Sequence, residues 1–113
     1  MADRYGMADR HWEMLRRTIA RYPGVRRLIL YGSRARGTQH SGSDFDLAIE
    51  APGLEPSQWS QLSLEIDDLP LVYPIDLVWL ERTASERLRR RILEEGKTVL
   101  SAEDIYKTRP AGT

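Results

Sequence analysis

The stretch LILYGSRARGTQHSGSDFDLAIE, Leu28 to Glu50, decides the fold. It begins inside a β-rich apolar run, Val25 to Gly32, which predicts a largely buried strand. Gly32-Ser33 ends that strand. Ser33-Arg34-Ala35-Arg36 then offers a capping residue followed by helix formers, so a short helical turn closed by Gly37 is expected. Thr38 to Ser43 is polar loop, and Asp44 to Ile49 is the second strand. Asp44 and Asp46 are separated by one residue, so in an extended strand both carboxylates leave the same face while Phe45, Leu47 and Ile49 leave the other. Two carboxylates that close repel each other unless a cation lies between them.

Upstream, Trp12, Leu15, Ile19 and Tyr22 fall at spacings of three and four, the stripe of an amphipathic helix over Asp9 to Tyr22 that Pro23-Gly24 stops. Downstream, Trp59, Leu62, Ile66 and Leu69 mark a second helix, Ser57 to Leu69, broken by Pro70. Tyr73 to Leu80 reads as a third strand, with Ile75, Leu77 and Trp79 on one face and Asp76 and Val78 on the other. Thr83 and Glu86 have the form of a capping box for a helix running to about Glu95, with Gly96 as its C-terminal cap. Val99-Leu100 can add an edge strand, and 107–113 are expected to be a frayed tail. The fold class is therefore α/β (α+β): a small mixed sheet of three to four strands with helices covering one face. The opposite face would carry Asp44, Asp46 and Asp76 and lie open to a ligand.

Composition narrows the chemistry. The 113 residues suffice for one domain, expected over 1–106. Hydrophobic residues at 41% and charged residues at 30% give the balance of a globular protein. There is neither a membrane-length apolar run nor a signal-peptide pattern at the start, so a cytoplasmic location is expected. Without cysteine, any metal must be held by oxygen or by the two histidines, which favours hard divalent cations such as magnesium. Lys plus Arg equals Asp plus Glu at 17 each, and this neutral sum disfavours nucleic acid as the main partner.

An aspartate within the apolar strand Pro74 to Trp79 needs a reason, because an unpaired buried carboxylate is costly. Asp76 could pair with an arginine or emerge on an exposed face; beside Asp44 and Asp46, a three-carboxylate metal cluster is the better reading. Gly32-Ser33 could be an ordinary turn, but its place between a buried strand and a short helix suits an incoming phosphate. Arg34 and Arg36 either assist it or are solvated surface residues. His11, read as a surface residue, and His40 have no assigned role, and Arg87, Arg89, Arg90 and Arg91 read as a solvated helix face. Together these residues are the equipment for two-metal phosphoryl or nucleotidyl transfer, with Asp44 and Asp46 bridging two cations and Asp76 completing the set or accepting the proton of the attacking hydroxyl.

Gly32-Ser33, ten intervening residues and then Asp44-Phe45-Asp46-Leu47-Ala48-Ile49 resemble the signature of the polymerase-beta-like nucleotidyltransferase superfamily. The resemblance runs from about Val25 to Leu100, includes Asp76, and is nearest to the minimal nucleotidyltransferases with GSRARG-like loops, here Gly32 to Gly37. It implies an enzyme dependent on ATP and magnesium, with two metal ions held by Asp44, Asp46 and Asp76 and the triphosphate held by Gly32 and Ser33; Arg36, from the loop's own reading, is expected to join them in binding nucleotide. It further implies an antitoxin that transfers AMP to a tyrosine of a HEPN-domain ribonuclease toxin encoded beside it. Larger relatives carry extra domains for the acceptor; a chain of this length is expected to meet its acceptor on a partner protein. The alternatives are a non-catalytic module that binds nucleotide or occludes the toxin, and transfer to a small molecule such as an aminoglycoside.

Overall fold

The computed structural model describes residues 3–40 and 42–107. A two-residue hairpin, β1 (Asp3–Arg4) with β2 (Met7–Ala8), opens the chain. Then come α1 (Asp9–Ile19), β3 (Arg27–Tyr31), the single turn α2 (Ser33–Arg36) and β4 (Phe45–Glu50). They are followed by α3 (Pro56–Asp67), β5 (Ile75–Trp79), a 3₁₀ turn at Leu80–Arg82, α4 (Glu86–Glu95), β6 (Lys97–Ser101) and α5 (Ala102–Tyr106). The main sheet has the order β5-β4-β3-β6. Only the β4–β5 pair is parallel, as the α3 crossover between those strands requires. This is the small mixed sheet expected, with Val99-Leu100 extended into a full edge strand.

Several boundaries moved for local reasons. Helix α1 stops a turn short of Tyr22, because the residue before Pro23 is disfavoured in the helical region. Tyr22 still reaches the core, and its carbonyl accepts a 2.6 Å hydrogen bond from the Tyr106 hydroxyl. Helix α3 starts at Pro56, with a reciprocal cap between Glu55 and Gln58. The Thr83–Glu86 capping box does not form: the 3₁₀ turn carries the chain past Thr83 in extended conformation, and the Ser85 hydroxyl accepts from the Leu88 N–H at 3.1 Å instead. Helix α5, absent from the sequence reading, is held by a cap between Ser101 and Asp104. The tail expected from Lys107 lies, beyond that residue, outside the described region.

The main core lies on one face of the sheet, where Leu28, Leu30, Phe45, Leu47 and Ile49 meet Trp12, Leu15 and Ile19 of α1, Leu62 and Ile66 of α3, and Ile105 of α5. A smaller cluster lies on the opposite face: Ile29, Tyr31 and Ala48 under Ile92 of α4 and Leu80, with Val78 and Leu88 at its margin. Helix α4 thus covers part of the face expected to be open, and it borders the aspartates. No helix among the described residues is long and apolar enough to cross a membrane.

Candidate active site

Register assembles the site. In the β3–β4 pairing Tyr31 lies opposite Asp46, and in the parallel β4–β5 pairing Asp46 lies opposite Asp76. Side chains alternate along strands, so residues directly opposite share a face, and Tyr31, Asp46 and Asp76 form one row across the sheet. Ile29, Ala48 and Val78 form the next row, under α4. Asp44 lies just before β4, exposed, at the end of the loop.

Charge in this row is unbalanced. Burial, then the neighbouring charges of Asp76 and Asp44, hold the Asp46 carboxyl above its ordinary pKa, and Arg91 and Arg36 offset part of the effect. Tyr31, 5% exposed, is pushed up to about 12 by burial first and by Asp46 and Asp76 next, so its hydroxyl keeps its proton. Among the described residues, no three His, Asp or Glu side chains stand as a closed metal-ligand set. The donor chemistry nevertheless fits a hard divalent cation. The groups are all carboxylates, and the repulsion from Asp76 and Asp44 that adds to burial in raising Asp46 is what a bound cation would relieve.

Gly32 joins the turn to the carboxylates. Its backbone, at φ 78° and ψ −156°, lies in a region that only glycine readily occupies. A Cβ there would press into the Asp46 carboxylate, 3.2 Å from its Cγ and closer still to Oδ2. The Gly-Ser turn and the central aspartate are therefore in direct apposition. Ser33 follows, half-buried, as the first residue of α2, and Gly37 closes that turn in the left-handed conformation.

The loop's two arginines divide. Arg34, 7% exposed, is not a surface residue: its guanidinium is turned to backbone carbonyls and an aromatic ring. Its Nε and Nη2 donate to the Ser43 carbonyl at 3.1 and 2.8 Å, its Nη1 donates to the Tyr5 carbonyl at 3.1 Å, and its guanidinium lies 3.8 Å from the Phe45 ring centroid. On the core side Phe45 also meets Trp12 and Tyr73 edge-on. The residue between the two aspartates is thus boxed in, and the loop before Asp44 is tied down. Arg34→Lys, which keeps the charge but loses the planar fork, is expected to cost about 2–3 kcal/mol in urea unfolding; an unchanged midpoint would show that the clamp is dispensable. Arg36 is exposed and pairs with Glu95 at 3.3 Å.

The histidines stay outside the site. His11, expected on the surface, is buried edge-on against Tyr73, and its Nδ1 has no hydrogen-bond partner among the described residues. His40 is exposed, and its backbone N–H donates to the Ser43 hydroxyl at 3.0 Å. Sequence reasoning missed Tyr31 and Arg91. Tyr31 was legible in principle, because strand alternation places it with Ile29. Arg91 was not, because only the packing of α4 separates it from its neighbours: Arg89 instead reaches back to the Thr83 carbonyl at 3.1 Å.

Comparison with known proteins agrees with this fold. The family described as Polymerase beta, Nucleotidyltransferase matches residues 13–105. Among solved structures, a toxin–antitoxin crystallised with AMP-PNP superposes with a TM-score of 0.64 at 26% identity, over 86% of this chain and 76% of that one. A mutant of the MntA–HpeT toxin–antitoxin gives 0.61 at 25% identity, over 87% and 76%. A protein from Sulfolobus solfataricus gives 0.51 at 13% identity, over 91% and 92%, and bears on the fold alone. No match is found among curated proteins. Since the family match extends from α1 into α5 and takes in every element of the aspartate row, the chain belongs to the polymerase beta nucleotidyltransferase family.

Proposed function

We propose that this chain transfers AMP from ATP to a tyrosine hydroxyl of a HEPN-type ribonuclease toxin, and that it acts by this modification as the toxin's antitoxin. The observation that carries the reading is the apposition of Gly32 with Asp46, which brings the Gly-Ser turn against a carboxylate row. The resemblance to a toxin–antitoxin bound to AMP-PNP supports the nucleotide and the partner class. Gly32, Ser33 and Arg36 hold the triphosphate, with backbone N–H groups and a guanidinium as donors. Asp44, Asp46 and Asp76 would hold magnesium, which when bound neutralises phosphate charge and makes the acceptor hydroxyl more acidic. The acceptor oxygen forms a bond to the α-phosphorus and the bond to the β-phosphate oxygen breaks. Pyrophosphate leaves, and the hydroxyl proton passes to the carboxylate of Asp76.

Incubation with α-labelled ATP, magnesium and the product of the neighbouring gene is expected to label that product. Asp44→Ala/Asp46→Ala is expected to lose the label. Equal labelling by the double variant would show that these aspartates are not the site. If the double variant still neutralises the toxin fully, occlusion rather than modification is the mechanism.

A further inference from the structure

Arg91 and Glu95 lie one helical turn apart on α4, and Arg91 Nε is 3.7 Å from Glu95 Oε1. The same oxygen lies 3.3 Å from Nη1 of Arg36, which projects from the turn after Gly32. One carboxylate oxygen is thus shared by two guanidiniums from two elements at the border of the aspartate face, where α4 is seated through Ile92 on Ile29 and Tyr31. The three side chains are 43–45% exposed, so the pairs lie in water and part readily. Arg91 and Arg36 are also the two cations that offset the charge on Asp46, which places both within electrostatic reach of the row.

We infer that Glu95 is a stand-in anion: without nucleotide it holds Arg36 and Arg91 together, and the phosphates of an incoming nucleoside triphosphate take its place, making Arg91 a second phosphate-binding arginine beside Arg36. This rests on the proposed reading that the site takes a triphosphate. A triphosphate offers more negative charge and more acceptor oxygens than one carboxylate, and guanidinium forks match phosphate geometry. Arg87 and Arg90, on the same helix, have no such bridge to α2 among the described ion pairs.

The test is calorimetric titration of the full chain with AMP-PNP and magnesium, with adenosine as the phosphate-free control. Glu95→Gln is expected to tighten AMP-PNP binding about two- to fivefold, the range an exposed ion pair can contribute. Arg91→Ala is expected to weaken it about tenfold, and Arg90→Ala to leave it unchanged. Glu94→Gln makes the same charge change without an ion pair to either arginine, and its effect should be smaller than that of Glu95→Gln. Adenosine binding should not respond to any of them. Circular dichroism establishes that each variant is folded. Unchanged or weaker AMP-PNP binding by Glu95→Gln, an equal gain from Glu94→Gln, or an equal change with adenosine overturns the inference. If Arg91→Ala binds AMP-PNP like the parent while the partner is still labelled, this inference fails and the proposed function stands. If the parent chain binds no AMP-PNP, both fail.

Discussion

Asp46→Asn is expected to abolish transfer while making the metal-free protein harder to unfold. The activity loss follows from position: Asp46 is central in the row, opposite Asp76 and against Gly32, and losing its charge should lower the labelling rate ~10³-fold. The stability gain follows from sign. The folded protein raises the pKa of this carboxyl, chiefly by burial and then through Asp76 and Asp44, so folding favours its protonated form. That contribution is complete below the ordinary aspartate range and is lost as pH rises through the raised value; at neutral pH the ionised group opposes folding. Asparagine removes the opposition. Thermal melts without divalent cation should therefore show a higher midpoint for the variant at neutral pH, with the gap closing under acid conditions. Magnesium should stabilise the parent and not the variant. A variant less stable than the parent at neutral pH would mean that Asp46 makes favourable contacts outweighing the repulsion.

The second large effect is expected from Gly32→Ala, measured against Gly37→Ala. Both glycines have φ 78°, but they differ in surroundings. At Gly37 nothing lies within 4 Å of an added Cβ, so alanine there meets only left-handed strain, about 1–2 kcal/mol. At Gly32 the backbone strain of about 1–3 kcal/mol is joined by a collision with the Asp46 carboxylate. Relief requires that the turn or the aspartate move, and either motion separates the Gly-Ser turn from the carboxylate row. Gly37→Ala should keep most of its transfer activity, whereas Gly32→Ala should lose nearly all of it even where melts show a folded protein. Comparable activity in the two variants would mean that the close approach at Gly32 does not matter for function.

The sheet and the placement of the carboxylates were legible because they depend on short-range pattern. Alternation puts Asp46 and Asp76 on one face of their strands, and Gly32 marks where the first strand must turn. What was not legible depends on contacts between distant segments. Whether Ile92 seats α4 on Ile29 and Tyr31, and so brings Arg91 within electrostatic reach of Asp46, is decided by packing across the whole sheet. Arg34 looks like any loop arginine until the Tyr5 and Ser43 carbonyls close around it. The Thr83 cap failed because a competing serine two residues later fits the helix start once the 3₁₀ turn has formed. Helix α5 did carry a local signal, Ser101 with Asp104 three residues on, which the edge-strand reading passed over.

Asp46 and Asp76 differ in how firmly their strands are held. Strand β4 is hydrogen-bonded on both sides, whereas β5, at the edge of the sheet, is bonded on one. The pair therefore joins a well-protected strand to one that can detach by local opening, at a free energy below that of global unfolding. On warming, amide protons of β5 should exchange before those of β4, and the competent arrangement of the site should disappear while the core behind it is still intact. The thermal ceiling on activity would then be set by the outermost strand rather than by the melting of the domain.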